Sequence, residues 1–165
     1  MARGRTSPRR ATVGLGRRTV ALVAVAAAAL AGCASPVEAG VPAGARDPGC
    51  ARVAAAWPAT VGGRERREVR ADTPDGAAGV AAWGDPAIVA RCGVSPPGPT
   101  TNECLDVDGV DWVVERLEGG TAFTTYGRVP ALEVLVPAEY APEPLVLGSL
   151  GQAARAVPQS ERRCS

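Results

Sequence analysis

Apolar residues recur along this chain with two different periods. After Asp47-Pro48, an N-capping acid followed by proline at the first helical position, Cys50, Val53, Ala54 and Trp57 fall at helical spacing, and Pro58 ends the run. Alternation then takes over: 80–83 and 87–94 read as two strands around the turn Gly84-Asp85-Pro86. In the second of these, Ile88, Ala90 and Cys92 share one face, and Val89 and Arg91 share the other. The loop SPPGPTTNE (95–103) follows, and then 105–107 and 110–114 flank Asp108-Gly109, a two-residue hairpin signal. Residues 121–126 and 131–136 give two more strands, the second placing Leu132, Val134 and Val136 on one side. Over 144–157, Leu147, Leu150, Ala154 and Val157 are spaced for an amphipathic helix that Gly148 and Gly151 weaken. The order helix, strands, helix predicts an α+β domain over 47–165. Its antiparallel sheet would have about four to six strands, with a short N-terminal and a C-terminal helix packed on one face.

The chain before this domain has a different pattern. Six arginines and no acid occupy the first eighteen residues, and TVALVAVAAAALA (19–31) carries no charge. Thirteen residues of helix span roughly 20 Å, short of the ~30 Å hydrocarbon core, so the pattern is that of an export signal. It ends in Leu30-Ala31-Gly32-Cys33, which looks like the bacterial lipobox, with cleavage before Cys33 and a diacylglyceryl group on its thiol. Two acyl chains would anchor stably, at ~0.8 kcal/mol per buried CH2, where one chain alone is marginal. Arg17-Arg18-Thr19-Val20 faintly resembles a twin-arginine export signal. Residues 1–32 are thus expected to be a lipoprotein signal peptide. The Pro/Gly/Ala-rich stretch 33–46, with no hydrophobic period, is expected to be the lipidated cysteine and a flexible tether of roughly 20 Å reach.

Processing at Cys33 inverts the charge. The intact chain is formally +1; without the six n-region arginines, twelve arginines face seventeen acids, a formal −5. An acidic domain lacking lysine is a poor ligand for nucleic acid or anionic lipid headgroups, and both are excluded at this point. The expected partners are the cytoplasmic membrane, through the lipid anchor on the outer side, and an envelope protein or a cell-wall glycan.

Four cysteines remain after Cys33, an even number that fits an oxidising compartment, and they allow three pairings. Loop-closure entropy does not separate the pairings. Arginine is rarely buried without a partner, so Arg91 marks the outward face of its strand and Cys92 points inward, as Cys50 does from its helix. That favours Cys50–Cys92, which leaves Cys104–Cys164.

Catalytic chemistry has little to draw on. The chain contains no histidine and no lysine, so the usual bases for a serine nucleophile are missing. The densest acids lie in CLDVDGVDWVVE (104–115), where Asp106, Asp108, Gly109 and Glu115 match EF-hand positions three, five, six and twelve. Cys104 stands at position one and Asp111 at position eight, so a β-hairpin with solvated acids is the better reading. No catalytic residue, metal or other cofactor is assigned. Arg91, Arg128, Thr124 and Thr125 could line a polar groove for an anionic or sugar ligand; their plainer reading is as solvent-facing strand residues. The leading function is a non-enzymatic binding or scaffolding module of the envelope. The alternative is a hydrolase or transferase acting on cell-wall material through Asp/Glu pairs in the acid cluster.

The segments "CARVAAAWP", "AAWGDPAIVARCGV", "VDGVDW", "FTTYGR" and "ALEVLVP", in this order, resemble the actinobacterial domain of unknown function 3515 family. The resemblance covers 50 to about 158. It implies an exported or lipid-anchored envelope protein, and it carries over no activity, cofactor or catalytic residue. The segments holding Cys50 and Cys92 both belong to the family pattern, which supports pairing them.

Overall fold

Backbone pairing creates strands where the hydrophobic alternation is silent. The computed structural model describes Met1 and residues 35–164. Its strands are β1 (Val37–Ala39), β2 (Thr60–Val61), β3 (Arg64–Arg67), β4 (Val69–Ala71), β5 (Val80–Trp83), β6 (Ile88–Val94), β7 (Cys104–Val107), β8 (Val110–Leu117), β9 (Gly120–Thr125) and β10 (Ala131–Pro137). Helix α1 (Pro48–Ala55) precedes β2, and α2 (Gly151–Arg155) follows β10. Eight strands form one sheet in the order β2-β3-β5-β6-β10-β9-β8-β7, every neighbouring pair antiparallel; β1 and β4 form a separate parallel pair.

The expected four to six strands are therefore too few, and the domain is richer in β structure than the periodicity suggests. The strands missed at the sheet edge are β2 and β3, whose sequence TVGGRERR carries one buried apolar residue, Val61. They are held by backbone ladder bonds, which need no apolar side chains.

The elements with clear periods fold as their spacing requires. Asp47 caps α1, its Oδ1 accepting from the Gly49 amide at 2.7 Å. Cys50 and Val53 are buried on the sheet face that carries Ile88, Ala90 and Cys92, together with Trp112, Phe123, Leu132 and Val134. Trp57 and Trp83 pack edge to face with centroids 5.9 Å apart, and their indoles donate to the carbonyls of Ala78 and Pro58. The C-terminal helix is split. Glu143–Leu150 is a 3-10 helix and only Gly151–Arg155 is α-helical, consistent with Pro144, Gly148 and Gly151 in the run. Leu147, Leu150, Ala154 and Val157 are all buried, so both helical segments cover the same face of the sheet.

From Ser35 onward, the expected tether is part of the fold. The Val37 amide donates to Glu68 O at 2.8 Å, Val41 to Asp72 Oδ1 at 2.9 Å, and Gly44 to Gly93 O at 3.1 Å. Ala45 is buried, and the compact unit begins at Ser35 rather than at 47. Prolines and glycines gave this stretch no hydrophobic period, and hydrogen bonds rather than side-chain burial fix it. Gly93 shows how closely it is seated: with φ +100°, its missing Cβ would stand 2.3 Å from the Ala45 nitrogen. The signal segment and Cys33 lie outside the described residues.

Candidate functional site

Strand alternation leaves a second sheet face, opposite the helices. On β5 it presents Val80 and Ala82, which are buried; β4 lies against that strand. Further along the sheet, this face is open. Arg91 of β6 stands directly across from Glu133 of β10, Glu133 from Thr124 of β9, and Thr124 from Val113 of β8. The row extends to Val80 at one end and to Cys104 at the other. Six strands thus contribute one residue each to a line crossing the sheet, at ~4.8 Å per step.

The centre of the row is charged. Arg91 Nε donates to Glu133 Oε2, with the two side chains 32% and 17% exposed. A cleft lies on each side of the pair. One, of about 510 Å³, takes in Arg91, Asp47, Val41, Pro42, Val129 and Pro130. The other, of about 450 Å³, takes in Glu133, Thr124, Val113, Glu115, Asn102 and Thr100, beside the proline-rich loop. Val94 and Ser95 belong to both, so the two clefts adjoin. The first is mostly apolar. The second offers hydroxyl, amide and carboxylate groups, which can satisfy the hydroxyls of a sugar or the amides of a peptide.

Of the four residues expected in a polar groove, the structure brings together two. Arg91 and Thr124 sit in the row. Thr125, one residue on, faces the core, fully buried, where its hydroxyl oxygen accepts from the Leu132 amide at 3.0 Å. Arg128 is buried too: its guanidinium donates to Val157 O and to Gln159 Oε1, binding the C-terminal segment. Burial pushes the Arg128 guanidinium below its ordinary pKa, and Arg163 and Arg155 act in the same direction while Asp111 opposes. Neither Thr125 nor Arg128 is available to a ligand. Period two places Thr125 opposite Thr124, and Arg128 follows β9 in a loop that alternation does not govern.

Glu133 was missed by sequence reasoning. Its signal was present, because it is the charged residue on the side of 131–136 that Leu132, Val134 and Val136 leave free. What the sequence withheld was that β10 pairs with β6, which sets Glu133 against Arg91.

The acid cluster is a hairpin. Asp108 (φ +53°) and Gly109 (φ +76°) form its turn, and Asp106 Oδ1 accepts from the Gly109 amide at 3.2 Å. Asp111 is buried beneath the C-terminal segment, accepting from Gln159 Nε2 at 2.7 Å. Among the described residues, no three His, Cys, Asp or Glu side chains are grouped to hold a metal. Both expected disulfides are present, Cys50–Cys92 and Cys104–Cys164, each with 5.5 Å between Cα atoms. The second closes the far end of the row at Cys104.

The family model described as Protein of unknown function (DUF3515) matches residues 16–161. No curated protein and no solved structure matches the chain.

Proposed function

Because the chain belongs to the DUF3515 family, which supplies no activity to carry over, we propose a function from the site itself: an envelope lipoprotein, anchored through Cys33, that binds a partner in the groove across its open sheet face. The partner is a cell-wall glycan or an extended protein segment, held without chemical turnover. One observation carries this reading, the Arg91–Glu133–Thr124–Val113 row flanked by two adjoining clefts. A rigid sheet presents these side chains at fixed spacing, which lowers the ordering cost of binding. Two disulfides fit an oxidising, extracytoplasmic setting.

A photo-crosslinking residue placed at Thr100, beside the second cleft, tests the groove in living cells. A specific protein or glycan captured there, and absent when the probe is at Arg155, the last residue of α2, is the expected result. Equal capture at both positions would remove the groove from the account.

One observation favours hydrolysis or group transfer as a second reading: Glu115 and Glu133 line the same cleft. A Glu115→Gln, Glu133→Gln double variant that fully complements a deletion strain would end it.

A further inference from the structure

We propose that the Cys104–Cys164 disulfide is a thiol–disulfide exchange site. A dithiol protein of the envelope reduces it, residues 161–164 come free, and the second cleft gains the space behind them. The gain to the groove rests on the binding function proposed above; the exchange stands without it.

Access is the first argument. Cys50 and Cys92 are 1% and 0% exposed inside the core, so a thiolate reaches their bond only when the domain opens. Cys104 and Cys164 are half-buried, and both line a cleft of about 270 Å³ together with Arg163 and Tyr126. An attacking sulfur can approach this bond in the folded state.

The second argument is what else holds the segment. Among the described residues, 161–164 hydrogen-bond only to Gln159, Ser160 and one another. Hydrogen bonds to the rest of the domain stop at 160: Arg128 donates to Val157 O, Gln159 to Asp111, and the Ser160 amide to Gly127 O at 2.7 Å. Beyond Ser160 the strongest tie to the sheet is the disulfide itself. Breaking it frees 161–164 and leaves 157–160 docked.

The exchange balances as follows. A thiolate of the dithiol partner attacks Cys104 Sγ, a mixed disulfide forms, and Cys164 leaves as a thiolate that takes a proton from water. The partner's second thiol gives up its proton and attacks the mixed disulfide, and Cys104 is released as a thiol. The partner departs as a disulfide, having supplied two electrons. Charge sets this direction. Arg163 adjoins Cys164, lines the same cleft and forms no ion pair among the described residues, so it favours the departing thiolate there. Glu103 adjoins Cys104 and is matched by Arg116 at 3.3 Å, so no cation is left over at that sulfur.

Release changes the groove. The cleft at the disulfide shares Thr100, Asn102 and Val113 with the second cleft, so the departure of Arg163 and Cys164 merges the two spaces. It also bares Tyr126. No aromatic residue lines either cleft of the groove while the disulfide is intact, so this ring adds a flat apolar surface for a sugar or a peptide side chain.

The folded protein, treated with dithiothreitol, quenched with iodoacetamide and mapped by mass spectrometry, reads the exchange. Cys104 and Cys164 should be labelled at least about a hundredfold faster than Cys50 and Cys92, because only the second pair waits for the core to open. A Cys-x-x-Cys protein whose second cysteine is replaced by serine should be trapped on Cys104. Equal labelling of the two pairs would overturn the exchange site, and a trap on Cys164, or none, would overturn the route through Cys104. Hydroxyl-radical footprinting of the reduced and alkylated protein reads the groove without a partner: oxidation of Tyr126 should rise several-fold while that of Tyr140 stays the same. Equal oxidation of Tyr126 in both states would overturn the opening. Failure of capture at the Thr100 probe would instead remove the binding function and leave the exchange in place.

Discussion

Gln159 donates through Nε2 to a carboxylate oxygen of Asp111 at 2.7 Å, and the same amide nitrogen lies within reach of the Tyr126 and Arg162 carbonyls. One side chain thus ties the C-terminal segment to the buried acid of β8. With Arg128 holding Val157 O, it closes the end of the sheet that the 104–164 disulfide also staples.

Truncating that side chain should be costly. Gln159→Ala leaves the Asp111 carboxylate, 4% exposed, without its side-chain donor. The cost of a buried unsatisfied acceptor is about 1–3 kcal/mol. Urea unfolding should show a lower midpoint at unchanged slope, and Gln159→Glu should lose more by setting two carboxylates together. A loss under about 0.5 kcal/mol would mean that water takes the place of the amide.

The two disulfides should differ in what they protect. Loops of 42 and 60 residues each correspond to about 4 kcal/mol of chain entropy. Cys50 and Cys92 also join α1 to the central strand inside the core. Replacing both with alanine should therefore speed amide exchange across the whole domain. Replacing Cys104 and Cys164 should loosen 157–164 most, while β6 and β10 keep near-native protection.

Much of this architecture is legible in the sequence wherever side chains do the folding. Cys50, Val53 and Trp57 announce α1, Ile88, Ala90 and Cys92 announce β6, and Asp108-Gly109 announces the hairpin. Leu147, Leu150, Ala154 and Val157 mark the C-terminal core face although half of that segment is 3-10 helix. Elements held chiefly by backbone bonds leave little such trace: β2 and β3 together carry one buried apolar residue, Val61, and β1 is a three-residue Val-Glu-Ala strand inside a Pro/Gly/Ala-rich stretch, so 34–46 reads as a tether. The candidate site is legible by halves. Arg91 and Thr124 stand on predicted strands, but which strands are neighbours is a non-local fact. The Arg91–Glu133 contact therefore emerges only with the β6–β10 pairing.

The seating of the N-terminal segment requires glycine at 93. Gly93 has φ +100°, and an added Cβ would lie 2.3 Å from both the Ala45 nitrogen and the Gly44 carbonyl carbon, backbone that cannot swing aside. Gly93→Ala should displace 43–47 and lower stability by more than about 2 kcal/mol. Amide exchange at Gly44 and Ala45 should rise well above that at Ile88. Gly63→Ala shares a positive φ but meets nothing within 4 Å, so it should cost about 1 kcal/mol or less and serves as the control.

The Arg91–Glu133 pair gives a prediction that separates structure from binding. Both side chains are partly solvated, so their net coupling should be about 1 kcal/mol, well below that of a fully buried pair. In a double-mutant cycle, Arg91→Met and Glu133→Leu should each destabilise the domain, and the double variant should lose less than the sum. Glu133→Gln keeps the shape and a hydrogen-bond acceptor, so its stability should change by about 1 kcal/mol or less. If the row is the binding surface, the same conservative change should still reduce partner capture at the Thr100 probe several-fold. Full capture with an intact fold would show that the ion pair merely joins β6 to β10, and would move the binding surface elsewhere.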